Sequence, residues 1–187
     1  MIDYVTSETK EDLSGILALQ KINLSESLTK EEIKSQGFVT VVHNYDQLKK
    51  LNDIEKFIIA KDKNKIIAYL LAMTEQSKSE LPVLIPMFDT FNSILFKGKI
   101  IASYNYIVVG QVCVAKQYRG QGILDNCYTA YKNHFKGKYD FAITEIDANN
   151  LRSLNAHKRI GFTEIYRYFS SDNTEWCIVL WNWGKVG

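Results

Sequence analysis

The sequence predicts one α/β or α+β domain built on a mixed sheet. Three observations carry that reading. Strand-like apolar runs and runs of helical period interleave along all 187 residues. Two apolar runs, 57–60 and 66–73, are joined by the polar stretch 61–65 and read as an antiparallel hairpin. A third run, 106–114, leads straight into a polar turn with two glycines and then into an amphipathic helix.

In chain order, residues 2–6 alternate and suit a first strand. Thr9 and Asp12 have helix-start spacing, with Leu13, Ile16, Leu17 and Gln20 on one face behind them. Thr29 and Glu32 repeat that signal for a short helix expected to stop at Gly37. Residues 38–43 read as a strand or extended segment, and 45–51 as one or two helical turns. After the hairpin comes an insertion at 77–99. It is punctuated by Pro82 and Pro86, and Leu84, Met87, Phe88, Phe91, Ile94 and Leu95 then recur at helical spacing. It packs on the core as a helix, or it serves as a lid or dimer surface. Gly110 inside the run 106–114 marks a bulge or a close approach. Leu124, Cys127, Tyr128, Tyr131 and Phe135 form the face of the next helix, which Gly137 is placed to end. Residues 141–146 form a strand, and Asn149 and Asn150 cap a helix from 151 to about 159. A Tyr-rich strand, a turn at 171–173 and a last strand at 175–183 finish the chain.

The net charge of +2, spread without a basic run, gives no reason to expect nucleic acid or an anionic membrane surface. No apolar run reaches a membrane span. Cys113, Cys127 and Cys177 lack ligand spacing. They read as reduced core thiols of a cytoplasmic protein, with no metal expected.

The turn Gln117-x-x-Gly120-x-Gly122 brings backbone N–H groups near a ligand without side chains in the way. A helix starting there aims its unpaired amides and positive dipole end at the same point, a cradle for phosphate. It is not a P-loop, since no Gly-Lys-Ser/Thr follows, nor the dinucleotide fingerprint, since the third glycine is missing. A second motif follows: Asn150 and Ser153, then a helix ending in Gly161-Phe162. Together the two resemble the GNAT superfamily of acyl-CoA-dependent N-acetyltransferases. The likeness covers residues 106–169 well and residues 1–100 only in the order of elements.

That resemblance implies a mostly antiparallel sheet flanked by helices, with splayed central strands, and acetyl-CoA as the cofactor. Backbone groups of Val112, Cys113 and Val114 would pair with the pantetheine arm like an added strand. The N–H groups of Gln117, Tyr118, Arg119, Gly120, Gln121, Gly122 and Ile123 would hold the pyrophosphate. Arg119 is either a phosphate partner or a solvated surface arginine. Asn150 and Ser153 would face the pantetheine or the phosphates. The reaction would be direct attack of a primary amine on the thioester in a ternary complex. In the family a Tyr four residues after the Ser/Ala of the second motif often protonates the departing thiolate. Here His157 stands there, as the acid, a cofactor contact or a packing residue. Glu145 and Asp147 are the candidate bases, or else acceptor ligands or exposed strand residues.

The whole chain, 1–187, thus reads as a single N-acetyltransferase domain with the insertion at 77–99. The acceptor would be a small-molecule amine or a peptide amine. The aromatic insertion and the Trp-rich last strand leave room for a homodimer. Two rivals stand: a catalytically silent acyl-CoA sensor of the same fold, and an interaction protein whose glycine turn is only structural.

Overall fold

The first strand, β1 (Ile2–Thr6), ends where Thr9 starts a helix, in this computed structural model describing residues 1–29, 31–33 and 38–184. The Thr9 hydroxyl accepts the Asp12 amide, and the Asp12 carboxylate accepts the Thr9 amide, so α1 (Lys10–Lys21) begins on a capping box. Thr29 and Glu32 make the same exchange, and 31–33 are helical. The expected stop at Gly37 lies outside the described residues. A third capping box, Asn44 with Gln47, starts α2 (Tyr45–Ile54), which runs past the expected end at 51.

Residues 38–43 are not a strand. Only Val39 bridges to Leu24, and side chains replace the rest of the ladder. The Gln111 amide donates to the Val41 carbonyl at 2.8 Å, and the His43 amide donates to Gln20 at 2.9 Å. Side chains that satisfy a backbone this way remove its need for a neighbouring strand.

The hairpin forms as expected from β2 (Ile58–Asp62) and β3 (Lys65–Met73), turning at Lys63–Asn64. The insertion is only partly helical. Short 3-10 turns at Glu75–Ser79 and Pro82–Leu84 lead into α3 (Ile85–Ser93). Ile94 is extended, and a small hairpin follows, β4 (Leu95–Phe96) and β5 (Lys99–Ile100). Its tip, Lys97-Gly98, has both residues at positive φ, the twist that suits a two-residue turn. Phe88 and Phe91 of α3 are wholly buried, and Trp181 packs on Tyr128 and Phe162. Phe88 and Phe91 are therefore core residues, whereas Trp176, Trp181 and Trp183 at the end of the chain are half-buried.

The second half follows the expected order: β6 (Tyr106–Val114), α4 (Ile123–Phe135), β7 (Phe141–Asp147), α5 (Leu151–Ile160), β8 (Thr163–Phe169) and β9 (Glu175–Asn182). The sheet order is β1-β2-β3-β6-β7-β9-β8, antiparallel except for β6 beside β7. One face is covered by α1 and α2: Lys61 reaches Asp12, and Ile66 lies against Gly15. The other is covered by α4 and α5: Asn126 meets Tyr4, and Gly161 lies against Trp181.

The parallel pair holds for only three positions, Tyr106↔Phe141, Ile107↔Ala142 and Val108↔Ile143. Beyond them the Thr144 hydroxyl donates to the Val109 carbonyl at 2.7 Å, and the strands part. On its other side β6 slips register against β3 between Val109 and Gln111, which makes Gly110 the expected bulge residue. A Cβ at Gly110 would come within 2.4 Å of the buried Met73 thioether. Gly110→Ala is expected to destabilise the fold by about 1–3 kcal/mol through overpacking, read as a loss in denaturant midpoint at unchanged m.

Candidate functional site

The parting of β6 and β7 opens a cleft of about 590 Å³ above the start of α4. Val112, Cys113 and Val114 line it from β6, Tyr118, Arg119, Gly120 and Gly122 from the turn, and Asn150, Ser153 and His157 from the start and body of α5. Most of the residues expected to hold a cofactor are thus brought together. Gln117 and Gln121 are exposed and tied to each other, the Gln121 side-chain Nε2 donating to the Gln117 backbone carbonyl at 2.8 Å.

The turn is built by left-handed backbone. Gly120 and Gly122 have φ of 76° and 75°, and a Cβ at either would meet nothing within 4 Å. The space a side chain would fill is therefore open. Gly122 precedes α4 with no side-chain cap, and no partner among the described residues takes the amides of Gly120, Gln121, Gly122 or Ile123. A row of unpaired amides at a helix start, with room in front, fits a diphosphate.

Arg119 does structural work at this turn. It donates to the Val114 carbonyl at 2.9 Å and to Asn23 at 2.6 Å, tying the turn to the end of α1. Tyr118 anchors the turn to the β2–β3 hairpin through Asp62 at 2.6 Å. Asn150 caps α5 by accepting the Ser153 amide at 3.2 Å, and it reaches the Phe38 carbonyl at 3.4 Å. Phe38, Val39 and Asn23 are wall residues that sequence reasoning missed. They come from the far half of the chain, and nothing local marks them. Cys113 is buried, and burial pushes its thiol up to about 12, so it is no nucleophile near neutral pH.

His157 is 2% exposed. Its Nδ1 meets the Ser153 carbonyl at 2.8 Å, and its Nε2 lies 2.6 Å from the Tyr128 hydroxyl. The carbonyl can only accept, so Nδ1 carries the ring proton and Nε2 accepts from Tyr128. Burial lowers its pKa to about 4, so the ring is neutral at pH 7. Its one proton is held by a backbone carbonyl.

Glu145 lies outside this cleft, on the α1 face of β7, two residues past the last parallel pair. Burial raises its carboxyl to about 7, against the lowering effect of a 2.6 Å bond from the Tyr168 hydroxyl. A carboxyl poised near neutrality beside a gap between strands is suited to moving a proton. Also near the gap, Gln20 and Tyr69 both donate to Gln111, and Gln20 contacts His43 at 2.9 Å. Burial lowers His43 to about 4, and its Nε2 has no partner among the described residues.

Among the described residues, no group of three His, Cys, Asp or Glu is placed to hold a metal, and no helix is long and apolar enough to cross a membrane.

Comparison with known proteins agrees with this geometry. The model of the acetyltransferase (GNAT) family matches residues 20–162. No curated protein matches by sequence. Among solved structures, one of the NatC complex bound to Gag peptide and CoA is similar at TM-score 0.65 and 15% identity, over 97% of this chain and 98% of that one. The ribosomal-protein-S18-alanine N-acetyltransferase from Escherichia coli is similar at 0.65 and 12% identity, over 100% and 97%. A GNAT-family acetyltransferase from Streptococcus agalactiae reaches 0.68 at 10% identity, over 98% and 96%. At such identities these likenesses speak to the fold.

Proposed function

This chain belongs to the acetyltransferase (GNAT) family, and from that we propose that it moves the acetyl group of acetyl-CoA to a primary amine by direct attack. The observation that carries the reading is the open glycine turn with its unpaired amides, placed where β6 and β7 part. When bound, acetyl-CoA supplies an activated acyl group. The chain's residues bind it and handle protons. The amides of Gly120 to Ile123 take the diphosphate, and the edge of β6 at Val112 and Val114 aligns the amide-bearing arm.

Glu145 is the base. It accepts a proton from the incoming ammonium, directly or through water, and leaves a neutral nucleophile. The C–N bond then forms, the C–S bond breaks, and the nitrogen's surplus proton goes to the departing sulfur. His157 does not supply that proton, because its Nδ1–H is held by the Ser153 carbonyl. His157 instead packs α5 onto α4 through Tyr128.

The direct test is thiol release from acetyl-CoA over an amine panel, with the product identified by mass. Steady acetyl transfer supports the reading. The buried His157 favours a second reading, a silent acyl-CoA sensor, which predicts CoA binding without turnover with any amine.

Tyr168 gives a finer check. Its hydroxyl stabilises ionised Glu145, so Tyr168→Phe removes a bond that lowers the carboxyl's pKa. The low-pH limb of kcat/KM, set near pH 7 by Glu145, is expected to move to higher pH in the variant. A limb that stays in place would detach Tyr168 from the base.

A further inference from the structure

The last three strands narrow the choice of acceptor. Strand register fixes which side chains share the α1 face with Glu145. One row runs Asp147↔Trp176↔Tyr168, and the next runs Glu145↔Ile178↔Tyr166. The 2.6 Å bond from Tyr168 to Glu145 confirms that these side chains project together. The face therefore carries two carboxylates and three aromatic rings beside the gap between β6 and β7. On β7, β8 and β9 no basic residue shares it. Arg167 alternates to the opposite face, where Glu164 and Glu175 pair with it. Asp147 is half-buried, and one of its oxygens accepts the Asn149 amide at 2.8 Å. Its other oxygen has no partner among the described residues.

We propose that the acceptor carries a second positive charge: a diamine or polyamine whose reacting nitrogen sits at Glu145 and whose next ammonium sits at Asp147, against the Trp176 ring. This rests on the transferase reading above. Residues i and i+2 on one face of a strand are roughly 6–7 Å apart, which suits two nitrogens separated by about three to five methylenes. The second ammonium gains a carboxylate and an aromatic face, and half-burial reduces its screening. A monoamine of equal length leaves Asp147 without that partner. A peptide α-amine brings neutral amide groups to the same place, where the face offers charge and rings.

The test uses the whole chain with acetyl-CoA. Initial rates are compared for 1,4-diaminobutane, spermidine, butylamine and short peptides with free N-termini. Diamine kcat/KM should exceed that of butylamine by at least roughly tenfold, mainly through KM. Asp147→Asn should remove most of that ratio, and added salt should shrink it. Butylamine or a peptide performing as well as the diamine overturns the proposal while leaving the transferase intact. So does an unchanged ratio in Asp147→Asn. CoA binding with no turnover of any amine brings down the transferase reading itself, and the acceptor assignment with it.

Discussion

Glu145→Gln is expected to cut kcat/KM at pH 8 by about 10²–10⁴, the usual worth of a positioned base, while CoA binds as before. The substitution keeps shape and leaves an oxygen to accept from Tyr168, so the fold should persist. What disappears is a group able to take a proton near neutrality. Burial has set that ability, since a carboxyl in water would ionise far below pH 7 and be a weak acceptor. The variant should also lose the rise in rate through about pH 7. Paired measurements of kcat/KM against pH and of CoA affinity check both expectations. A variant that turns over like the parent would place the base elsewhere, with Asp147 next in line.

Gly122→Asp, and separately Gly120→Asp, should weaken CoA binding about a hundredfold, on the order of 2.7 kcal/mol. Each glycine points its missing side chain into open space, so the new carboxylate enters the volume assigned to the diphosphate. Like charge and bulk act together there. The left-handed backbone strains any L side chain, though Asp is among the residues that tolerate it best. Melting in the absence of CoA should therefore shift little. Calorimetry with CoA supplies the decisive number, and parental affinity in both variants would remove the phosphate from this turn.

Much of this molecule was legible in its sequence, for local reasons. The strand–turn–helix at 106–135 is readable because Gly120 and Gly122 announce left-handed backbone and Leu124, Cys127, Tyr128 and Tyr131 announce a helix face. Gly110 could be read as a bulge because a glycine inside an apolar strand packs nothing. What stayed unread is long-range. In sequence, residues 38–43 are open between a strand and an extended segment, and only the fold shows Gln20 and Gln111 taking their backbone groups from distant positions. Phe38 and Val39 consequently become cleft wall. Ile94 and Leu95 continue a helical period by coincidence, and Lys97-Gly98 turns them into a hairpin. His157 sits where the family resemblance puts a proton donor, yet only the fold shows the Tyr128 hydroxyl and the Ser153 carbonyl occupying both its nitrogens. Spacing could name Glu145 and Asp147 as candidates, but strand register was needed to show that Trp176, Tyr166 and Tyr168 stand beside them.

The three-position seam between β6 and β7 has a mechanical consequence. It joins two plates, β1-β2-β3-β6 and β7-β9-β8, along a line far shorter than either plate's own ladders. Ile107, Val108, Ala142 and Ile143 form that joint, all fully buried. A change of volume at these four positions is expected to alter the angle between the plates and the width of the cleft beside them; in the transferase reading that width sets the spacing of the two substrates. Enzyme rates could thus be tuned by residues that never meet either substrate.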